Sequence, residues 1–335
     1  MTNGPAHTIE GHGTISVPLV NNGTVLANAP GETLTLNGGS VTNHGLMSAG
    51  DGGQLLVITP VGGTGGWLAD GGTVRVESAT IATSGPIEVV HGGRLELAGA
   101  SMAGENLRVG GADEPVASSL SADAGSRLEL TGDFGIHVAA GSPFDLSAAT
   151  VVFAGAGTGG EPQHLEVAGL DRGLDPNGWV DNFAIGRLEI GPAARVRLLD
   201  VFESQAAAGG SEALYVDWIV FEPGGGIDLN GLAVYYRNGG EPKRLFRGDF
   251  DVDGDVDRAD LLILTDGIGA DTGAGWLDGD SDGDGDVDAA DYLAWKTRVG
   301  LPVGGGELPE PGGVSLLGIG VLALLRRRRG RNGLS

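Results

Sequence analysis

The sequence predicts a mainly β protein whose first 240 residues form a β-helix or β-solenoid body. Three observations support this fold class. Short segments alternate apolar and polar residues with a period of two, which is the signature of half-buried strands. Glycine-rich turns separate these segments, and glycine accounts for 64 of the 335 residues. Similar segments also recur about every 20 residues, the length expected for one solenoid turn that packs on its neighbours.

The predicted strands follow one another from about residue 11 to residue 236, without a convincing amphipathic helix between them. Representative segments are residues 33–36, 54–58, 73–76, 94–97, 127–130, 187–190 and 227–230. The repeat is visible where residues 21–27 recur as 43–49, a shift of 22, and where residues 71–76 recur as 92–97, a shift of 21. These shifts set the expected length of one turn.

The second half of this region is less regular. Intervals between strands become uneven after residue 130, so a β-sandwich or jelly roll remains an alternative for residues 130–236. The most apolar and aromatic part of the chain is residues 213–236. Because terminal repeats of a solenoid are atypical, we expect this segment to close the last turn.

The charge distribution limits the possible partners. The formal net charge is −24, and residues 249–291 alone contain 15 aspartates against one arginine. A chain this acidic cannot neutralise phosphates, so nucleic-acid binding is not expected. Cysteine is absent, which excludes disulfides and thiol chemistry. Stability must therefore come from burial, backbone pairing and bound metal.

A 12-residue aspartate-rich loop occurs twice, 31 residues apart. Each copy has carboxylates at positions 1, 3, 5, 9 and 12, glycine at position 6 and valine at position 8. Calcium takes six to eight oxygen ligands, and alternate residues of a curled loop can supply them. The predicted side-chain ligands are Asp249, Asp251, Asp253, Asp257 and Asp260 for one ion, and Asp280, Asp282, Asp284, Asp288 and Asp291 for the other. Asp255 and Asp286, at position 7, would contribute their backbone carbonyls and direct their side chains to solvent.

The duplication extends beyond the loops, which argues against a merely acidic, disordered tract. Residues 248–269 and 279–300 are identical at 12 of 22 aligned positions. Each loop is followed by an apolar stretch of helical length, at residues 261–264 and 292–295. We therefore expect two loop–helix halves that pack on each other around two Ca²⁺ ions. We call residues 248–300 the loop–helix module, and expect it to fold poorly without metal.

The loop–helix module resembles the dockerin family, in which each half is a calcium loop followed by a single helix. A thrombospondin-type calcium repeat is the competing motif, but it lacks the helices. The resemblance implies a possible cohesin-like partner. However, loop positions 10 and 11, which hold Ser/Thr-type recognition residues in cohesin-binding dockerins, are Arg258 and Ala259 in one loop and Ala289 and Ala290 in the other. A cohesin partner therefore does not follow from the calcium motif.

The C-terminal tail contains three ordered elements after a glycine-rich linker at residues 301–308. The tail, residues 309–331, begins with Pro309, Glu310 and Pro311. An apolar stretch follows at residues 312–325, and the basic residues Arg326, Arg327, Arg328 and Arg329 come next. The 14 apolar residues would span about 21 Å as a helix, less than the roughly 30 Å of a bilayer core. A marginal membrane anchor and a surface helix are the alternatives.

This tail is similar to the PEP-CTERM sorting signal, which a membrane transpeptidase of the exosortase type recognises in Gram-negative envelopes. The resemblance implies transient anchoring in the inner membrane, cleavage near Pro309, and a final location at the cell envelope, the outer surface or outside the cell. Residues 1–7 contain no export signal, so we expect one upstream of Met1. A solenoid body followed by these two elements also looks like large repetitive surface proteins of planctomycete-type bacteria.

No catalytic constellation stands out. The six histidines lack metal-ligand spacing, and no nucleophile triad or phosphate loop is present. Glu96, Glu129 and Glu189 fall at outward strand positions, where we expect a ladder of solvated charges. The sequence therefore predicts a non-enzymatic, exported structural or adhesive surface protein. The alternatives are a polysaccharide-degrading β-helix enzyme, with acids and arginines clustered in a groove, and a docking protein for a calcium-dependent partner.

Overall fold

The computed structural model describes residues 1–111, 114, 116–139, 143–155, 157, 161–205 and 209–300. Within these residues the chain is mainly β, and its strands form two large sheets of 19 and 10 strands. Almost all strand pairs are parallel. The predicted linker and sorting signal, residues 301–331, lie outside the described residues.

The strands are short and follow one another closely along the chain. The first fifteen are β1 Thr2–Asn3, β2 Thr8–Glu10, β3 Gly13–Ile15, β4 Leu19–Asn21, β5 Thr24–Ala27, β6 Thr33–Leu36, β7 Val41–Asn43, β8 Leu46–Gly50, β9 Gln54–Val57, β10 Val61–Gly63, β11 Gly66–Asp70, β12 Thr73–Glu77, β13 Thr80–Thr83, β14 Ile87–Val90 and β15 Arg94–Ala98. The others are β16 Ser101–Gly104, β17 Leu107–Gly110, β18 Ser119–Ala122, β19 Arg127–Leu130, β20 Phe134–His137, β21 Phe144–Phe153, β22 Gln163–Glu166, β23 Gly169–Leu170, β24 Ile185–Ile190, β25 Arg195–Leu199, β26 Glu212–Phe221, β27 Gly226–Asp228, β28 Ala233–Tyr236 and β29 Lys243–Leu245.

Through β18, each strand pairs in parallel with the strand three places further along, as β4 does with β7, β5 with β8 and β6 with β9. Three strands therefore make one turn, which is consistent with a solenoid-like body. The register pairs Asn21 with Asn43 and Val74 with Leu95. These pairs reproduce the predicted shifts of 22 and 21 residues.

Parallel pairing continues into the second half of the body. β21 pairs with β24, β24 with β26 and β26 with β28, all in parallel. A β-sandwich would instead be built from antiparallel strands. β26 pairs with both β24 and β28, and β26, β27 and β28 are the last parallel strands, so the segment predicted to close the last turn, residues 213–236, lies at this end of the body. The sheet ends with β29, which pairs antiparallel to β28; we call residues 1–245 the β-body.

The interior of the β-body is filled by the inward residues of successive turns. Burial alternates along most strands, as in β5, β6 and β12. One continuous cluster of buried apolar side chains extends from Ile15 to Leu245. Because every turn covers the apolar face of the previous one, the two ends of the stack are where this core needs a cover.

A ladder of buried asparagines joins the first turns of the β-body. Asn3, Asn21 and Asn43 occupy equivalent positions and are almost fully buried. The Asn3 amide donates to Asn21 Oδ1 at 2.7 Å, and the Asn21 amide donates to Asn43 Oδ1 at 2.8 Å. Each also donates to a backbone carbonyl, for example Asn21 to Leu46 at 3.1 Å. The stacked amides thus satisfy one another inside the core.

Two α-helices follow the β-body, α1 Arg258–Gly267 and α2 Ala289–Arg298. Each begins immediately after an aspartate that caps its first turn, Asp257 for α1 and Asp288 for α2. Two one-turn 3-10 segments occur at Pro176–Trp179 and Trp276–Asp278. In the part of the chain that the structure describes, no helix has the length and apolar character needed to cross a membrane.

Candidate metal centre

The two aspartate loops adopt matching conformations. The position-6 glycines, Gly254 and Gly285, have φ values of 92° and 93°, a region that side-chain-bearing residues rarely adopt. This is the sharp turn that the loop pattern predicts. A Cβ atom at Gly285 would also lie 3.1 Å from Arg195 Nη2 of the β-body, so the second loop has little room for a side chain there.

The first loop brings its carboxylates together in two overlapping groups. Asp249 and Asp251 form one group with Asp260, whose carboxylate also joins Asp255 and Asp257 in the other. Within each group, one oxygen per residue lies within 4.8 Å of the others. Converging carboxylates at this spacing are the ligands that Ca²⁺ prefers.

The second loop repeats this arrangement. Asp280 and Asp282 converge on Asp291, and Asp286 and Asp288 converge on the same residue from the other side. The position-12 aspartate is therefore shared by both groups in each loop. The near-identity of the two halves follows from their duplicated sequence.

Backbone amides hold the first carboxylate of each loop in place. Asp249 accepts hydrogen bonds from the amides of Asp253 and Gly254 at 3.1 and 3.2 Å. Asp280 accepts from the amides of Gly283 and Gly285 at 2.7 and 2.9 Å. Both side chains are fully buried. Hydrogen bonds within each loop therefore fold its backbone around the position-1 carboxylate.

The position-12 carboxylate is held by both ends of its loop. Asp260 Oδ1 accepts from the Phe250 amide at 2.6 Å, and its Oδ2 accepts from the Asp257 amide at 2.8 Å. Asp291 makes the equivalent bonds at 2.7 and 2.8 Å. The bonds from the Asp257 and Asp288 amides are each one half of a reciprocal capping box at the start of a helix. The helix start therefore fixes the last carboxylate of the loop.

Burial and crowding make these carboxylates electrostatically unfavourable without a cation. Burial, with repulsion from Asp260, raises the pKa of Asp249 to about 8. Burial likewise raises the pKa of Asp280 to about 7, and burial with repulsion from Asp291 raises that of Asp282 to about 6. A divalent cation would favour the ionised forms and reverse these shifts.

The residues fit calcium by a further criterion. Asp282 Oδ1 and Asp286 Oδ1 are buried and have no hydrogen-bond partner. Buried carboxylate oxygens normally have one, so both are available to a cation. Asp286 is half-buried, whereas we expected its side chain to face solvent; the corresponding Asp255 is exposed. The position-7 side chains converge with those of positions 9 and 12.

The structure does not bring every predicted ligand into these groups. Asp253 and Asp284, at position 5, belong to none of the carboxylate groups found among the described residues. Each instead accepts a hydrogen bond from the amide two residues later, at 3.1 Å. Rotation of these exposed side chains would be needed for them to join the other ligands.

The two halves of the loop–helix module interlock. The Trp295 indole of α2 donates to the Asp257 carbonyl of the first loop at 2.7 Å. The Val287 amide of the second loop donates to the Ala270 carbonyl, which follows α1, at 3.1 Å. Phe250, Val256 and Val287 belong to the apolar cluster between the halves. Each helix thus supports the other half's loop.

The module is also attached to the end of the β-body, which sequence analysis did not predict. Trp276 lies between the two loops, is fully buried and belongs to the core of the β-body. Its ring stacks on Phe221 of β26 with centroids 5.4 Å apart and planes 11° apart. Its indole donates to the Asp249 carbonyl at 2.6 Å, and its amide donates to Gly225 at 2.8 Å. One residue therefore joins the first loop to the last turns.

Charged side chains of the β-body also contact the module. The Arg195 guanidinium of β25 donates to the carbonyls of Gly224 and Ala274, bridging body and module. The Arg195 charge lowers the pKa of Asp280, although burial is the larger effect and the net shift is upward. Lys243 of β29 donates to the Asp253 carbonyl of the first loop. Both aspartate loops therefore lie at the interface.

A separate groove of about 350 Å³ crosses the smaller sheet. Arg108 pairs with Glu88 at 3.2 Å, and Asp133 Oδ1 lies 3.4 Å from His164 Nδ1. Asp133 also accepts from the His164 amide at 2.8 Å. Gly135 pairs with Arg108 in the ladder and contributes no side chain. These residues form a polar cleft on an outward face.

The predicted ladder of charges lies elsewhere, on the larger sheet. Glu96 pairs with Arg75 at 2.9 Å, and Glu189 pairs with Arg127 at 2.7 Å and Arg187 at 2.6 Å. Arg75–Glu96 and Arg127–Glu189 connect different strands of the sheet, whereas Arg187 and Glu189 lie on the same strand, β24. They account for the Arg-Leu-Glu pattern as surface ion pairs.

No family model matches the chain, and searches of curated proteins and of solved structures find no matching protein.

Proposed function

We propose that this protein is a non-enzymatic structural or adhesive protein of the cell surface. In this proposal two Ca²⁺ ions stabilise a dockerin-like module that covers the end of a β-solenoid body. The observation that carries the proposal is the convergence of carboxylates on a buried position-12 aspartate in both loops, with oxygens of Asp282 and Asp286 left without partners. Calcium would supply charge neutralisation there, and the chain's own aspartates would hold it.

Calcium titration of the full chain tests the metal site. Isothermal titration calorimetry should show two ions bound per chain, and Asp249→Asn or Asp280→Asn should each remove one of them. Asp266→Asn is the matched control, because Asp266 is exposed on α1 outside both loops. Unchanged stoichiometry in both loop variants, or no binding at millimolar calcium, would reject the proposed site.

The proposed location rests on the sequence of the tail. We infer export, transient anchoring in the inner membrane and processing by an exosortase-like enzyme from Pro309, Glu310, Pro311 and the arginines that follow the apolar stretch. Expression in a host with an exosortase system should yield a shortened surface form. Replacing Pro309 and Pro311 by alanine should retain the tail. Equal processing of both forms would contradict this proposal.

A docking role for the module is a related possibility, supported by two exposed leucines. Leu262 of α1 and Leu293 of α2 occupy equivalent positions and are 58% and 56% exposed. A cohesin-like or polysaccharide partner could cover them. Leu262→Ser and Leu293→Ser should then reduce calcium-dependent capture of that partner, whereas Thr265→Ser on the exposed side of α1 should not. Capture that persists in a chelator would exclude this calcium-dependent mode.

The groove on the smaller sheet favours a second candidate function, polysaccharide degradation. Its Asp133–His164 pair and Glu88–Arg108 pair place acid, base and cation along one cleft. If this groove is catalytic, new sugar ends should accumulate when the protein is incubated with acidic and neutral polysaccharides. His164→Ala should abolish that activity, while the exposed His12→Ala control retains it. Equal rates in the two variants would exclude the groove.

A further inference from the structure

An arginine-lined groove of about 650 Å³ lies where the last turn of the β-body meets α2. Arg197, Arg244 and Arg247 line it from the body, and Arg298 lines it from the helix. Asp228 is the single carboxylate among the lining residues, so the lining carries a formal charge of +3. The whole chain carries −24. This groove is thus a local reversal of the molecule's charge.

Asp228 compensates only part of the positive charge. Its carboxylate lies 2.6 Å from Arg247 Nη2 and 3.4 Å from Arg197 Nε. Arg197 also donates to Asn230 Oδ1 at 3.2 Å. The Asp228 carboxylate is therefore shared by the guanidinium groups of Arg197 and Arg247.

The other two arginines have no carboxylate partner among the described residues. Instead, both guanidinium groups lie against the ring of Phe246, with Arg244 Cζ 5.3 Å and Arg298 Cζ 5.0 Å from its centroid. Arg244 Nε is buried and has no hydrogen-bond acceptor. Two guanidinium groups without a carboxylate partner leave the groove with uncompensated positive charge, which favours an anionic ligand.

The chemistry of the ligand follows from these donors. Guanidinium groups bind planar carboxylates and tetrahedral sulfates through two parallel N–H bonds. Leu232 and Leu293 add apolar wall to the groove. The net charge of −24 repels long polyanions at a distance, so a ligand with a single anionic group is favoured over a polyelectrolyte.

We propose that this groove binds one oxyanion, the carboxylate or sulfate group of a small molecule or of a single acidic sugar unit. Arg244 and Arg298 make the principal contacts, and the Phe246 ring lies between the sugar and the groove floor. None of the predicted calcium ligands lines this groove, although Ala290 of the second loop does, and the site extends the proposed surface role by giving the molecule a ligand of defined chemistry.

Calorimetric titration of the full chain, in calcium-containing buffer of low ionic strength, tests this site. The probes are glucuronate, inorganic sulfate and uncharged glucose. Glucuronate should bind while glucose does not, and Arg244→Gln and Arg298→Gln should each weaken binding by about tenfold or more. Lys296→Gln is the matched control, since Lys296 is exposed on α2 and does not line the groove.

Each pattern of binding identifies a different ligand class or rejects the site. Binding of both anions supports a general oxyanion site, and binding of glucuronate alone supports a sugar carboxylate; binding of sulfate alone supports a small tetrahedral anion. Thermal unfolding with saturating calcium establishes that the variants are folded. The proposal is overturned if neither anion binds, if glucose binds as well as glucuronate, or if the folded arginine variants bind like Lys296→Gln.

Discussion

At the scale of single residues, each calcium loop depends on its position-12 aspartate. Asp260 and Asp291 accept amide hydrogen bonds from both ends of their loops while facing the other carboxylates. The backbone thus brings like charges together, and either bound protons or a bound cation would offset their repulsion. Burial and this repulsion together raise the pKa values of the buried aspartates.

The raised pKa values predict opposite pH dependence with and without calcium. Asp249 and Asp280 titrate near pH 4 in the unfolded chain, but their pKa values in the metal-free fold are about 8 and 7. The metal-free fold therefore holds more protons, and its stability falls as pH rises through that window. With calcium, affinity and stability should instead rise with pH, because the ions bind ionised carboxylates.

Urea unfolding at pH 5.5 and pH 8, in chelator and in saturating calcium, measures this reversal through tryptophan fluorescence. The double variant Asp249→Asn, Asp280→Asn is the control, because burial also raises the pKa of Glu212 in the β-body to about 7. The variant should lose most of the reversal. The same pH order in both buffers would contradict the assignment of these residues as ligands.

The asparagine ladder makes a prediction about the first turns. Asn21→Ala removes the side chain that links Asn3 to Asn43 and leaves their buried amide groups incompletely satisfied. We expect a loss of about 1–3 kcal/mol in the free energy of unfolding. Asn22→Ala is the control, since Asn22 is only half-buried and its amide makes one long bond of 3.4 Å. Chemical denaturation should separate the two variants, and equal losses would argue against the ladder.

At the scale of elements, the loop–helix module and the last strands form one packed unit. Trp276 lies in a 3-10 turn between the calcium loops, yet it belongs to the core of the β-body. Arg195 connects the same two parts from the other direction. The module therefore covers the end of the stack, a position where a solenoid otherwise exposes apolar side chains.

The substitution Trp276→Ala tests whether this side chain of the module stabilises the β-body. Removing a fully buried aromatic ring that stacks on Phe221 should lower the free energy of unfolding by about 3–5 kcal/mol. Trp218→Ala is the matched control, because Trp218 is 45% exposed on the neighbouring β26, and its loss should cost about 1 kcal/mol or less. Equal losses in thermal or chemical unfolding would show that the module does not stabilise the β-body.

Sequence patterns predicted the elements better than their contacts. Strand alternation and the spacing of Asn21 and Asn43 gave the parallel register, because each turn must bury the same inward positions. The aspartate spacing likewise predicted most of the carboxylates that converge, apart from Asp253 and Asp284, which do not, and Asp255 and Asp286, whose side chains do. The docking of Trp276 could not be read from a local pattern. Its surroundings are glycine-rich and polar, and only the presence of a lone large aromatic residue there signals a buried contact.

The arginine groove was missed for the same reason. Arg197, Arg244 and Arg298 are far apart in sequence, and no spacing rule joins them. They meet because the last turn of the β-body and α2 face each other. Sites formed between elements depend on tertiary packing, whereas each aspartate loop is formed by 12 consecutive residues.

At the scale of the whole molecule, the acidic module contacts the β-body, and the proposed calcium ions would couple the two. The loops concentrate most of the local negative charge beside the last turns, where Asp249 contacts Trp276 and, at 3.5 Å, Tyr236 of β28. Without ions, repulsion in the loops should loosen both the module and the end of the β-body. With ions, the end should stay closed while the distant first turns remain unaffected in either state.

Hydrogen–deuterium exchange of the full chain, with calcium and with a chelator, tests this account most directly. Calcium should protect residues 248–300 and also the backbone of β26 and β28, while β4 to β9 exchange equally in both conditions. Trp276→Ala should abolish the effect on β26 and β28 but preserve it in the loops. Exchange that is unchanged by calcium throughout residues 248–300 would contradict the central claim that this module is a calcium-dependent cover for the β-body.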